Sequence, residues 1–253
     1  MVISRTPYRI SFFGGGTDYP LWFEKHGGTV LATTIDKYVR ITVRHLPPFF
    51  EHKFRVIYSK IEQVNEVSQI QHPSVRRTLE WLGWREGLEI HYDGDLPARA
   101  GLGSSSAFTV GLLNALMALQ GKQISKDELA ARAIYIEQQL IKEHVGCQDQ
   151  ICAGYGGFNR IEFMKNKTFD VRPLILSRQR FQELESHLML FFTRVVRTAS
   201  DIAKSQLDNF SQREKELSRM ANIVDEAIAI LQSPTGNLEI GRASCRERVC
   251  QYV

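Results

Sequence analysis

The chain has 253 residues, enough for one large or two ordinary domains with a substantial core, and its 43% hydrophobic and 24% charged content is that of a soluble globular protein. The formal charge is +4, half of it from Arg242, Arg246 and Arg248 against Glu247, and no dense basic stripe with interleaved aromatics implies a nucleic-acid partner. The first seven residues lack the basic-then-apolar pattern of a secretory leader, and the longest apolar runs, such as Leu188–Phe192, are far too short to span a bilayer, so no membrane partner and a cytoplasmic location are expected.

Residues 2–13 alternate as a strand and end in Gly14-Gly-Gly-Thr-Asp18. Residues 29–45 hold two apolar stretches around Asp36-Lys37, with Arg40, Thr42 and Arg44 alternating against Val39, Ile41 and Val43 as in a half-buried strand. Strands are predicted over 54–58 and 88–92, and a short helix over 73–83. A helix is predicted over 104–120, and another from the capping box Ser125–Glu128 to about Lys142. A turn at 154–157 precedes a strand at 158–163. Leu188–Phe192 reads as a buried strand, followed by helices near 198–208 and 212–232, the second opened by a box at Ser211–Glu214. The order indicates α+β or a split α/β layout. Residues 241–253 have no periodicity and are expected to be a non-native tail. Cys147/Cys152 and Cys245/Cys250 read as buried free thiols, because neither a leader nor a zinc-ligand spacing accompanies them.

The stretch from Leu96 to Ala107 carries the strongest chemical signal. A helix start leaves amide groups unpaired and bears partial positive charge, so it favours anions. Gly101 and Gly103 permit close backbone approach, while Ser104, Ser105 and Ser106 add hydroxyls. The bland alternative is a serine-capped helix after a turn. A Walker A loop is excluded, since Gly121-Lys122 is followed by Gln123. A dinucleotide fingerprint would need glycine where Ser106 stands, and the His-Arg-Asp and Asp-Phe-Gly marks of protein kinases are absent from the sequence.

Three further residues stand out. Glu137 falls on the apolar face of its helix, among Ala133, Ile134, Leu140 and Ile141, so it needs a metal or an arginine beside it. Asp149, in a polar turn Gly146–Gln150, could take a proton from a hydroxyl or simply cap the next element. Asp18 after three glycines suits hydroxyl-rich ligands, or ends an ordinary glycine turn.

Together, Pro7–Asp18, Leu96–Ala107 and Gly146–Gln150 with Gly154–Asn159 resemble the GHMP small-molecule kinases over roughly residues 3–235. Within that family the Gly-Gly-Gly-Thr-Asp form, the Gln-Asp-Gln turn and Phe192–Asp201 most resemble the heptose 7-phosphate kinase branch, with fucokinases and galactokinases as competitors. The resemblance implies an α+β fold: an N-terminal α/β domain over 1–180 with a left-handed βαβ crossover, then an incomplete ferredoxin-like C-terminal domain over 181–240. It implies ATP held by Pro97, Gly101, Leu102, Gly103, Ser104, Ser105, Ser106 and Ala107, and Mg²⁺ held by Ser105 and Glu137. It implies Asp149 as base with Arg9 stabilising the transferring charge, and Gly15, Gly16, Thr17 and Asp18 on the sugar. Arg99, Lys37 and Arg40 are candidates to meet a substrate phosphate. The expected reaction is phosphoryl transfer from ATP to the anomeric hydroxyl of a heptose phosphate. The expected partner is therefore a small sugar or sugar phosphate. The family's late glycine-rich loop has no counterpart here, and Arg194 stands where a small residue is expected, so an inert nucleotide-binding fragment is the competing expectation.

Overall fold

The computed structural model describes residues 1–97, 101–191, 213–236 and 238, and the chain divides into two compact units. The first comprises Met1–Arg9 and Thr34–Gly156, the second Ile10–Thr33 and Gly157–Val253. Two long strands, β1 (Val2–Phe13) and β2 (Gly28–His45), contribute residues to both. The two apolar stretches around Asp36-Lys37 thus form one strand rather than two.

In the first unit, β2 pairs antiparallel with β5 (Leu88–Gly94), from Val39 opposite Gly94 to His45 opposite Leu88. β5 pairs in parallel with β3 (Phe54–Ile57), which makes a hairpin with β4 (Ile61–Val64). The parallel pair is joined through the hairpin and helix α2 (Pro73–Trp81). Alternation fills the core from one face of the sheet: Val39, Ile41 and Val43 meet Ile90, Val56 and Tyr8. Helix α3 (Ser104–Leu119) is buried on nearly every side, as its run of apolar residues requires, with Leu112, Leu113 and Leu116 fully inside. Helix α4 (Lys126–Tyr135) starts at the Ser125 cap, whose side chain accepts from the Glu128 amide. It continues as a π turn over Ile136–Ile141, so the helical segment ends where the periodicity predicts but is widened by one residue per turn. Helix α5 (Gln148–Tyr155) follows, where the polar residues had suggested only a turn.

In the second unit, β2 (Gly28–Thr33) pairs antiparallel with β6 (Phe158–Phe163), and β6 with β7 (Phe169–Pro173). Leu31, Phe158, Val224, Ala227 and Leu231 form its core. Helices α1 (Pro20–His26), α6 (Arg178–Ser186) and α7 (Glu214–Gln232) complete it. The predicted buried strand at 188–192 is corrected: Leu188–Phe191 form no strand and are exposed, and Phe192 lies outside the described residues. Four successive apolar residues suit a sandwiched strand, but no partner strand pairs with them among the described residues. The predicted helix at 198–208, the Ser211 cap and the 241–253 tail also lie outside the described residues. Cys147 and Cys152 are buried free thiols as expected. No helix among the described residues is long and apolar enough to cross a membrane.

Candidate active site

The N-termini of two helices in the first unit, α3 and α5, hold several of the residues singled out in the sequence. Gly103 is the N-cap of α3 in the left-handed region at φ 73°, and Gly101 precedes it at φ 74°. Such backbone is open to glycine and strained for other residues. The first turn of α3 itself holds no acidic side chain, and a helix start favours anions. Of the residues expected to cradle phosphates, Pro97, Gly101, Leu102, Gly103, Ser104, Ser105, Ser106 and Ala107 are all described; Arg99 is not.

Asp149 sits in the first turn of α5, where a carboxylate complements the helix dipole. Arg9 of β1 grips it in a two-point fork, Nε to Oδ1 at 2.8 Å and Nη2 to Oδ2 at 2.9 Å. The same guanidinium donates through Nη1 to the Gly101 carbonyl at 2.7 Å, and the Arg9 amide donates to the Leu102 carbonyl at 3.1 Å. A side chain at position 103 would lie 3.1 Å from Arg9 Cγ and 3.4 Å from Asp149 Oδ2. The expected base, its cation and the anion-receptive helix start are therefore in one place. Asp149 is bound to a cation across the unit, which goes beyond the helix-capping alternative.

Glu137 lies in the π turn and is fully buried. Ser106 Oγ donates to its Oε2 at 2.8 Å, and Gln150 Nε2 donates to the same oxygen. Among the described residues these partners are neutral, and Glu137 makes no salt bridge. Burial pushes the Glu137 pKa up to about 7, against the hydrogen bonds that pull it down. Its Oε1 is buried with no hydrogen-bond partner among the described residues. Ser105 and Glu137 are the pair expected to hold Mg²⁺. It is Ser106 that reaches the carboxyl, while Ser105 is exposed and its carbonyl accepts from Thr109 Oγ1 at 3.3 Å. Consecutive helix residues point about 100° apart, so the two serines face different directions.

A divalent cation fits this chemistry. An orphaned carboxylate oxygen needs a donor or a cation, and Mg²⁺ is commonly held by one or two carboxylates together with substrate phosphates. Among the described residues no cluster of three or more His, Cys, Asp or Glu side chains could hold a metal by itself.

The turn Gly15–Asp18 belongs to the second unit. Asp18 is buried and its Oδ1 accepts from the Gly16 amide at 3.0 Å; the Thr17 hydroxyl lies 2.7 Å from the Gly14 carbonyl and 2.9 Å from that of Thr29. These side chains brace the turn itself. Arg40 is engaged by Asp95 at 2.5 Å, and the half-exposed Lys37 lies 3.4 Å from Asp36. Gln150 is the neighbour of Glu137 that sequence reasoning passed over. Once residues 148–155 are read as a helix, Gln150 falls on its buried side with Ile151 and Ala153.

Residues 69–157 match the family model "GHMP kinases N terminal domain". The chain is 28% identical over 242 residues to D-glycero-alpha-D-manno-heptose 7-phosphate kinase of Campylobacter jejuni subsp. jejuni serotype O:2, covering 91% of this chain and 70% of that protein. It is 23% identical to a galactokinase of Thermococcus kodakarensis, spanning 60% of that enzyme. Among solved structures, a D-glycero-D-manno-heptose 1-phosphate kinase from Bacteriodes thetaiotaomicron superposes with a TM-score of 0.70 at 25% identity, over 90% of this chain and 76% of the other. The α+β fold is that of these kinases. Over residues 69–157 the chain is thus similar to the N-terminal domain of the GHMP kinases.

Proposed function

We propose that this chain is an ATP-dependent sugar kinase that phosphorylates a hydroxyl of a heptose phosphate, at the anomeric position. The observation carrying the reading is the Arg9–Asp149 fork set against the glycine-capped start of α3. Phosphoryl transfer asks mainly for positioning and charge neutralisation. The α3 amides would bind the nucleotide's phosphate oxygens. Asp149, oriented by Arg9, would accept the proton of the attacking sugar hydroxyl as its oxygen bonds to the γ-phosphorus and the bond to the ADP oxygen breaks. Arg9 would also offset charge on the transferring group. Glu137, with Ser106 beside it and Ser105 at the helix start, would hold Mg²⁺, which supplies neutralisation of the phosphate charge.

The heptose substrate is supported by the two heptose kinases among the relatives and by the Gln148-Asp149-Gln150 turn; the galactokinase relatives favour the competing sugar. The test is a substrate panel of D-glycero-D-manno-heptose 7-phosphate, L-fucose and galactose with ATP and Mg²⁺, the product read by phosphorus NMR. Asp149→Asn is expected to lower kcat by about 10²–10⁴-fold, the usual worth of a general base, with nucleotide binding kept. Wild-type turnover in that variant removes Asp149 from its role. Preference for galactose or fucose overturns the heptose assignment. Nucleotide binding without turnover on any sugar supports the inert-fragment alternative.

A further inference from the structure

Gln150 is a polar side chain at a depth that ordinarily takes an apolar one. It is fully buried in the first turn of α5, between Asp149 and the equally buried Ile151. A buried primary amide costs free energy unless its donors and its acceptor are met. One donor is met: Nε2 donates to Glu137 Oε2, from α5 across to the π turn. That contact fixes which way round the amide sits, because the opposite orientation would press its oxygen against a carboxylate oxygen. Ser106 Oγ donates to the same Oε2 at 2.8 Å. Two donors from two helices thus occupy one oxygen of a fully buried acid, and neither occupies the other.

What remains is a pair of acceptors. Glu137 Oε1 and Gln150 Oε1 are both buried with no hydrogen-bond partner among the described residues. The bond from Nε2 to Oε2 holds the two groups side by side, which keeps their remaining oxygens within about 7 Å of each other. A carboxylate oxygen and an amide oxygen only accept, so they cannot satisfy each other. Orphaned buried acceptors are costly, and two on neighbouring side chains call for one source of positive charge and of donors. A hydrated divalent cation is both, since Mg²⁺ takes oxygen ligands and keeps several waters whose hydrogens can be donated.

We propose that Gln150 is a positioning residue for the cation that accompanies the nucleotide: its Nε2 pins Glu137 Oε2, so that Oε1 is the oxygen offered to the ion, and its own Oε1 accepts from a water the ion carries. The proposal rests on the kinase reading above. Because Gln150 directly follows Asp149 on α5, the helix that carries the base also steadies the ion's carboxylate.

Gln150→Met keeps the volume and removes both polar ends. Titration of the whole chain with a non-hydrolysable ATP analogue, once with Mg²⁺ and once with EDTA, gives two affinities and their ratio. The wild type is expected to bind more tightly with Mg²⁺. Gln150→Met is expected to lose roughly 10-fold of that gain, the low end of what the outer partners of a metal ligand are worth, while its affinity in EDTA stays within about twofold of wild type. Should Gln150→Met not fold, Gln150→Asn carries the test: it keeps the amide, falls one methylene short of Glu137, and is expected to show the same loss. A Mg²⁺ gain equal to wild type in a folded variant overturns the proposal and leaves the kinase reading intact. So does an equal loss with and without Mg²⁺, which marks a purely structural side chain, and so does a wild-type chain whose nucleotide affinity ignores Mg²⁺. Absence of nucleotide binding by the wild-type chain overturns both.

Discussion

Replacing Gly103 by alanine, with Gly101→Ala as its matched comparison, separates backbone strain from crowding at the Arg9–Asp149 pair. The two glycines have nearly the same left-handed backbone, φ 73° and 74°. An alanine forced into that region costs roughly 1–2 kcal/mol at either position. Their surroundings differ. A Cβ at 101 meets nothing within 4 Å, whereas at 103 it lies 3.1 Å from Arg9 Cγ, 3.4 Å from Asp149 Oδ2 and 3.6 Å from Arg9 Nε. The arginine or the carboxylate must then give way by a few tenths of an ångström. Because a displacement of about 1 Å at a reacting group can cost on the order of 10²-fold, a shift of this size is expected to lower kcat by roughly 10-fold. Urea unfolding should therefore show similar stability losses for the two variants, while steady-state kinetics show a kcat loss peculiar to Gly103→Ala. Equal kcat losses in both would refute the claim that position 103 is kept bare to seat the ion pair.

Two further outcomes follow from buried polar groups. Glu137 releases its proton near 4.5 in the unfolded chain and near 7 in the folded one, so folding takes up a proton in between and stability falls as pH rises across that window. The full loss is about 3 kcal/mol at roughly 1.4 kcal/mol per pH unit, and Glu137→Gln should lack it. Urea midpoints from pH 4 to 8 without nucleotide or metal give the difference between the two proteins; parallel curves would exclude a buried, late-titrating Glu137. Glu143, also raised by burial, contributes in the same direction to both and cancels. In the second unit, Arg180 donates to the carbonyls of Leu231 at 3.2 Å, Ile230 at 2.8 Å and Gly236, closing the end of α7. Arg180→Met is expected to cost about 2–4 kcal/mol by leaving those carbonyls without their charged donor, and a loss below about 0.5 kcal/mol in chemical denaturation would show that they are satisfied otherwise.

The strands and long helices were legible because their cores obey simple periods. Val39, Ile41 and Val43 alternate along a sheet, and the apolar residues of α3 recur at helical spacing through Leu119. Glu137 was legible as anomalous for the same reason, an acid on an apolar helical face. Short elements escaped. Helices α1 and α5 have seven and eight residues, and β7 has five, too few to complete a period against polar neighbours. The exposed run at Leu188–Phe191 failed in the opposite sense, since hydrophobicity reports a wish for burial and not the presence of a partner.

The glycine–serine bend before a buried helix, the odd acid on the following helix and the aspartate beyond it are properties of the sequence alone, because each depends on residue type and local spacing. Which serine faces Glu137, that the acid's partners are neutral, that Arg9 reaches 140 positions along the chain to Asp149, and that Gln150 closes off one oxygen of Glu137 belong to the tertiary structure. A hydrogen bond has a direction and a reach of about 3 Å. Neither is encoded in spacing along the chain; both appear only when separate segments are packed side by side.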